Sequence, residues 1–377
     1  MKKLAVLGGS YLQLPLVQKA EQRGIEVHCF AWDDGHAVCK NYASKFYPIS
    51  VLEKDLILDK CKEIGIDGII TIATDICIPV ISAIASELNL IGNSLNTAFL
   101  TTDKGAMRRM LIQNNLNSPK SIVFTKNYSD FEIDSLCNNC NFPLIVKPSD
   151  RSGSLGVEIV NTKEELKNSI GQAIDLSLKK EAIAEEYITG KEISVESISY
   201  NGDHRVLAIT DKIITDPPYF VELEHHQPSS ISNDLKDKII DETIKILKAA
   251  QVTNGAGHLE FKIRDDQEIF LIEIGSRMGG DFIGSDLVEL STGIDFVNAV
   301  IDISLGQFSW ERIKNKENSF SGIYFLSKES NRIEKYFDSN PTWLIKSEKT
   351  KNQITSVKSS NERSGYIIYK SDQKIVI

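Results

Sequence analysis

The sequence has no basic surplus. Its 377 residues carry 43 Lys and Arg against 52 Asp and Glu, a formal net charge of −9. Nucleic acid or an anionic membrane needs a basic surface, so neither is expected as the main partner. A local basic pocket for phosphate stays open. No apolar run approaches the length of a membrane span. The start, MKKLAVLGGSYLQLP, is basic and then apolar, but Gly8, Gly9 and Gln13 interrupt it, so no secretory leader is expected. Cysteine is sparse, and all six (Cys29, Cys39, Cys61, Cys77, Cys137, Cys140) fall in the first 140 residues. A disulfide scaffold would spread them through a small chain, so reduced thiols and a cytoplasmic location fit better. Cys137 and Cys140 form a lone CxxC with no second pair and no nearby His, which speaks against zinc. There is no internal repeat and no low-complexity segment.

The length exceeds one ordinary core and implies two or three domains. Hydrophobic and charged contents of 41% and 25% are those of a globular protein. The first hundred residues alternate strand and helix: a strand at 4–8, a helix to about Arg23, a strand at 25–32, then further strands and helices to residue 88. That rhythm predicts a small parallel sheet covered by helices. A boundary is expected near Asn96–Asp103. A helix at 104–113 follows, then strands, and a helix near 163–178 whose Leu166, Ile170, Ala173 and Ile174 share one face. From 182 come long strands, a helix near 233–250, a hairpin, and a helix near 294–304. The tail from about 310 reads as short strands with polar turns.

Several constellations carry chemistry. Gly8–Gly9 with Asp33 and Asp34 make half of a dinucleotide fingerprint. Gln13 and Leu14 stand where the third glycine belongs, so a nicotinamide site is not expected. An anion at that helix N-terminus stays open. In IVKPSDRSGSLGV (145–157), Lys147 ends a strand before a Gly/Ser loop whose backbone N–H groups can approach phosphate oxygens. The segment lacks the GK[ST] of a Walker loop. In EISVES, Glu192, Ser194 and Glu196 share one face, either functional or a solvated sheet edge.

Glu260 in GHLEFKI and Glu273 in IFLIEIGSR lie on two alternating runs joined by RDDQE, a hairpin. A turn centred on Asp266–Gln267 pairs Ile263 with Phe270, Lys262 with Leu271, Phe261 with Ile272, Glu260 with Glu273, and Leu259 with Ile274. Opposed carboxylates repel, and a divalent cation held by oxygens would relieve them. Splayed, solvated glutamates are the alternative. Arg277 lies close downstream, and its fork suits a phosphoryl group. His225 and His226 sit beside Glu222 and Glu224, suggesting a substrate loop or a solvated cluster more than a metal site.

Together these residues resemble the ATP-grasp superfamily, in order, across roughly residues 1–305. LAVLGGSYLQLPLVQKAEQRGIEVHCF resembles its preceding Rossmann-like domain. DKGAMRRML resembles its opening helix, FPLIVKPSDRSGSLGV its strand and glycine-rich loop, EEYITGKE its adenine hinge, and LEF…IEIGSR its metal pair. The resemblance implies an α/β and α+β multidomain protein. A Rossmann-like domain (1–100) precedes a two-lobed ATP-grasp fold, with a lobe carrying the lid loop (101–187) and a lobe carrying the metal hairpin (188–309). A small β-rich extension (310–377) follows.

The resemblance implies ATP and magnesium, or manganese, as cofactors. Lys104, Lys147, Ser152, Gly153 and Ser154 would meet phosphate. Glu185, Glu186, Tyr187 and Ile188 would surround the base, and Glu192 would hold the ribose. Glu260 and Glu273 would bind the metal, while Arg277 and Lys147 would be catalytic. Glu196, His226, Ser276, Gly279, Gly280 and Asp281 are the candidate substrate contacts, with Asp281 or Glu196 suited to an amino group. Many members carry Asn two positions after the second glutamate, where this chain has Gly275. The EHHQPS and GSRMGGD segments look most similar to the amino-acid ligase branch. The expected activity is ATP-dependent joining of a small carboxylate to an amine, with amino acids as the expected substrates, in a protein able to form a homodimer. A carboxylase or purine-pathway enzyme and a non-catalytic nucleotide-binding regulator are the alternatives.

Overall fold

The computed structural model describes residues 1–377 except Ser152, Ser154 and Asn315. Four parallel strands open the chain: β1 (Lys3–Leu7), β2 (Glu26–Phe30), β3 (Lys45–Tyr47) and β4 (Gly68–Ile70), in the order β3-β2-β1-β4. The apolar run of β1 is buried on both faces, as a helix-covered parallel sheet requires. Leu4 and Val6 face one core with Leu16, Val17 and Ala20 of α1 (Leu14–Gln22). Ala5 and Leu7 face the other with α2 (Lys54–Ile64) and α3 (Ile78–Glu87). The period of two in the strand thus divides the helices into two layers.

Two short helices, α4 (Leu95–Thr102) and α5 (Lys104–Gln113), lead into a second sheet. Its strands are β5 (Ser121–Thr125), β6 (Leu144–Pro148), β7 (Glu158–Val160) and β8 (Glu181–Glu186), antiparallel in the order β5-β8-β6-β7. It packs on α6 (Asp130–Asn139) and α7 (Lys163–Leu176). Leu166, Ile170, Ala173 and Ile174 of α7 are all buried there.

The third sheet has eight antiparallel strands. They are β9 (Lys191–Tyr200), β10 (Asp203–Ile214), β11 (Glu222–Gln227), β12 (Gly255–Ile263), β13 (Ile269–Gly275), β14 (Phe320–Leu326), β15 (Leu344–Lys349) and β16 (Gly365–Ser371). Their order is β13-β12-β9-β10-β11-β14-β16-β15. Ile193, Val195, Leu259 and Phe261 share a core with α5 and α8 (Asn233–Ala249). The helices α9 (Val288–Thr292) and α10 (Phe296–Ser304) tie the sheet to the N-terminal domain. The β-rich extension is part of this sheet, because β14 pairs with β11. Among the described residues no helix is long and apolar enough to cross a membrane.

The hairpin β12–β13 departs from its expected register. Leu259 faces Ile274 and Glu260 faces Glu273, but Phe261 then faces Leu271, Lys262 faces Phe270 and Ile263 faces Ile269. The expected pairing of Phe261 with Ile272, Lys262 with Leu271, and Ile263 with Phe270 is therefore corrected by one residue. A bulge between Glu260 and Phe261 leaves Ile272 without an opposite partner. Leu271, not Ile272, enters the core at 1% exposure. The loop also differs from the expected two-residue turn. Arg264 N donates to Glu268 O at 2.9 Å, and Gln267 is left-handed with φ 69°. That is a three-residue hairpin loop.

Candidate active site

An open cleft, with about 840 Å³ of empty space counted out into the solvent at its mouth, lies between the second and third sheets. Part of its lining is apolar: Ile145, Val157, Ile188, Ile214, Phe220 and Ile272. The bulge explains why the successive residues Ile272 and Glu273 both reach it. The other part is charged and includes Lys104, Lys147, Lys212, Glu192, Glu222, Glu260 and Glu273.

Each charge is paired. Lys104 opens α5 behind the cap Asp103, which accepts from Ala106 N at 2.7 Å. A Cβ on Gly105 would lie 2.7 Å from Val123, so this helix start presses closely on β5. Lys104 Nζ reaches Glu273 at 3.1 Å and Arg151 O at 2.5 Å. Lys147 is buried on β6 and bonds Glu185 of β8. Arg108, one helical turn beyond Lys104, reaches Glu185 at 3.0 Å and donates to Leu271 O and Ile272 O at 3.1 and 2.8 Å. Burial pushes the Glu185 carboxyl up, but Arg108 and Lys147 override it and bring it down to about 2. Burial, with Arg108 and Lys104 nearby, lowers Lys147 despite Glu185.

Glu260 is held by Lys212 at 2.7 Å and His258 at 3.3 Å. Burial alone would raise it, yet Lys212 and His258 hold it well below the usual carboxylate range. Lys212 also contacts Glu192 at 2.9 Å and Glu222 at 3.9 Å. His258 bonds the fully buried Glu196, and although burial opposes its charge, Glu196 and Glu260 raise it to about 9.

The two opposed glutamates thus meet lysines rather than each other. Among the described residues no group of three or more His, Cys, Asp or Glu is placed to hold a metal alone. Two carboxylates suffice for magnesium, which usually takes one or two of them plus phosphate oxygens and water. The donor set fits such an ion, with Lys104 and Lys212 compensating the charge.

Arg277 grips Asp75, from the loop after β4, through two hydrogen bonds of 2.8 and 2.7 Å. A Cβ on Gly275 would lie 2.6 Å from Asp75 Oδ1. The side chain absent at position 275 is thus replaced in space by a carboxylate from the N-terminal domain.

The expected site residues divide as follows. Lys104, Lys147, Glu185, Glu186, Tyr187, Ile188, Glu192, Glu260 and Glu273 line one cleft. Glu185 lies there, but its carboxylate is engaged by Lys147 and Arg108. Glu186 pairs with Arg264 at 3.0 Å. Ser152 and Ser154 lie outside the described residues; Gly153 between them has φ 66°. Glu196 is on a central strand, not a solvated edge, and accepts from Gly279 N at 3.0 Å. Ser276 bonds Thr101 at 2.9 Å, and Gly280 lies beside Ala73.

His226, an expected substrate contact, already has partners on both ring nitrogens. It is 1% exposed and locked between Tyr369 at 3.0 Å and Glu224 at 2.9 Å. Strand alternation turns His225 the other way, toward Asp281 at 3.8 Å. Sequence reasoning also missed Arg108, Lys212, His258, Asp75 and Arg363. Only Arg108 left a signal, its i+4 spacing from Lys104. At the N-terminal turn, Gln13 accepts from Ser10 N at 3.1 Å and donates to Ile72 O at 2.7 Å. Its amide occupies the donor a bound phosphate would use.

Residues 140–286 match the family model of the ATP-grasp domain. The chain is similar to ATP-grasp proteins through that segment, which covers under half of its length. It is similar to the alanine–anticapsin ligase of Bacillus subtilis, at 26% identity over 67% of this chain and 57% of that protein. Among solved structures it is similar to the L-amino acid ligase of Bacillus licheniformis, with a TM-score of 0.78 and 21% identity over 99% of this chain and 94% of the other. It is also similar to the biotin carboxylase domain of the Hydrogenobacter thermophilus 2-oxoglutarate carboxylase, with a TM-score of 0.77 and 18% identity over 98% of this chain and 86% of the other. These structural likenesses concern the ATP-grasp fold. The chain spans less than two thirds of the length of the curated relatives it matches, from 20% to 63%.

Proposed function

We propose that this protein is an ATP-dependent carboxylate–amine ligase acting on small substrates, with amino acids as the first class to test. The observation that carries the reading is the opposed pair Glu260 and Glu273, in a cleft with an apolar wall and two buried lysines, Lys104 and Lys147. The apolar wall takes a flat base. Lys104 and Lys147 neutralise phosphate oxygens, and Glu185 with Arg108 fixes the position of Lys147. Glu260 and Glu273 would hold magnesium, which when bound would screen the phosphate oxygens. The substrate carboxylate attacks the γ-phosphorus and ADP leaves. The amine then attacks the acyl carbon, loses a proton, and expels inorganic phosphate. Arg277, whose Nε and Nη2 hold Asp75, offers its remaining Nη1, only 3.4 Å from Met278 O, to charge on the transferring phosphoryl group. Catalysis is positioning and charge neutralisation in a cleft that limits water.

The direction toward amide formation is supported by the similarity to the alanine–anticapsin ligase. A second reading, carboxylation, is favoured by the similarity to the biotin carboxylase domain, whose structure is described with MgADP and bicarbonate. A screen of ADP release over pairs of amino acids, with product masses, separates them. Ligation gives amine-dependent release and a condensed product. Carboxylation gives bicarbonate-dependent release without a condensed product. Glu273→Ala is expected to lower magnesium-dependent turnover by about 100-fold or more with an unchanged circular dichroism spectrum. Normal turnover in that variant would sink the metal assignment.

A further inference from the structure

Four residues beyond Arg277 the loop takes an unusual path. Asp281 and Phe282 are consecutive non-glycine residues with left-handed φ values of 51° and 64°. Such residues are strained and persist only where their surroundings hold them. The restraint comes from the far end of the chain. Arg363 grips Asp281 through two hydrogen bonds of 2.7 and 2.8 Å, and its own Nε donates to Ser360 O at 2.9 Å. The guanidinium also lies 3.7 Å from the ring centre of Phe325.

Next to this pair is a second anomaly. His225 is 1% exposed, yet neither ring nitrogen has a hydrogen-bond partner. Its Nε2 stands 3.8 Å from Asp281 Oδ2, too far for a direct bond. A ligand nitrogen about 2.9 Å from both atoms fits that separation, giving His225 Nε2 a donor and Oδ2 a second one beside Arg363. The Asp281 carboxylate keeps free lone pairs, and its side chain is 19% exposed. Glu222 joins the cluster, its carbonyl meeting Arg363 at 3.5 Å while its residue lines the nucleotide cleft. The Glu222 carboxylate itself accepts from Ser360 Oγ at 3.0 Å and lies 3.9 Å from Lys212, so the free lone pairs of Asp281 beside the unpartnered His225 are what would receive a cationic nitrogen.

We propose that Asp281, held by Arg363 and flanked by His225, seats the ammonium group of an amine substrate such as an α-amino acid. Residues 310–377 are thereby part of the active site, and Arg363 is a positioning residue. The assignment rests on the ligase reading and names the substrate group that this side of the site binds.

The test is steady-state ADP release with the most active amino-acid pair, varying the amine and ATP in turn, for wild type, Asp281→Asn, Arg363→Ala and Arg363→Lys. Loss of the carboxylate charge in Asp281→Asn is expected to raise KM for the amine about 10- to 100-fold, with KM for ATP unchanged. Arg363→Lys is expected to recover part of what Arg363→Ala loses. Circular dichroism checks folding, and if Arg363→Ala does not fold, Asp281→Asn decides alone. A wild-type KM for the amine in Asp281→Asn overturns the assignment, as do equal rises in both KM values. In either case wild-type turnover leaves the ligase reading standing. No amine-dependent ADP release from wild type would remove both.

Discussion

Gly275 and Asp75 form a complementary pair across two domains. Position 275 needs no side chain because Asp75 fills the space, 2.6 Å from where a Cβ would stand. Arg277 is thereby paired and oriented by the N-terminal domain. Burial alone would lower the Arg277 pKa, but Asp75 raises it, so the guanidinium stays charged. Introducing Gly275→Asn pushes Asp75 away and breaks that pair. The expected cost is about 1–3 kcal/mol in urea unfolding, the usual range for overpacking. In an Asp75→Ala background most of this cost should vanish, giving a coupling energy of about 1–2 kcal/mol. Strict additivity of the two substitutions would show that they do not share the space.

At the scale of elements, the hairpin β12–β13 and helix α5 act together. The bulge opposite Phe261 brings Ile272 and Glu273 to the cleft and leaves carbonyls on the edge strand β13 to be satisfied. Arg108 of α5 takes Leu271 O and Ile272 O and at the same time holds Glu185 of β8. One side chain thus joins the two sheets whose gap is the cleft. Replacing it leaves a buried carboxylate short of a partner and two carbonyls unbonded. Arg108→Ala is expected to destabilise the protein by about 3–5 kcal/mol, read as a lower urea midpoint with the slope unchanged. Any residual activity should show a raised KM for ATP, since Lys147 depends on Glu185 for its position. A midpoint equal to wild type would refute this linking role.

At the scale of the molecule, the large sheet runs from the β12–β13 hairpin at one edge to β15 at the other. Its C-terminal strands are structural neighbours of the site and not an appendage. Their loss would strip β11 of its partner β14, and would leave Asp281 without Arg363, Glu224 without Arg332, and His226 without Tyr369. Breaking partly buried pairs costs several kcal/mol each, against a total stability of about 5–15 kcal/mol for a typical domain. A chain ending at residue 309 is therefore expected to lose cooperative unfolding and to aggregate when β11 becomes an exposed edge. A soluble, cooperatively unfolding 1–309 fragment would disprove it.

The residue order alone determined the parallel sheet at the N-terminus, the amphipathic face of α7, and the opposition of Glu260 to Glu273. Those features follow from local periodicity, which a single chain segment records. It left β11 unread, because ELEHHQ is polar and looks like a loop. Its His225, His226 and Gln227 are buried only because β10 and β14 flank them. The bulge was invisible too, since one unpaired residue leaves the apolar pattern almost unchanged while turning Ile272 to the cleft. Tertiary structure alone decided that Asp75 meets Arg277 and that Arg363 meets Asp281. Those partners lie 202 and 82 positions apart, and a charge carries no mark of a distant partner until packing places the two together.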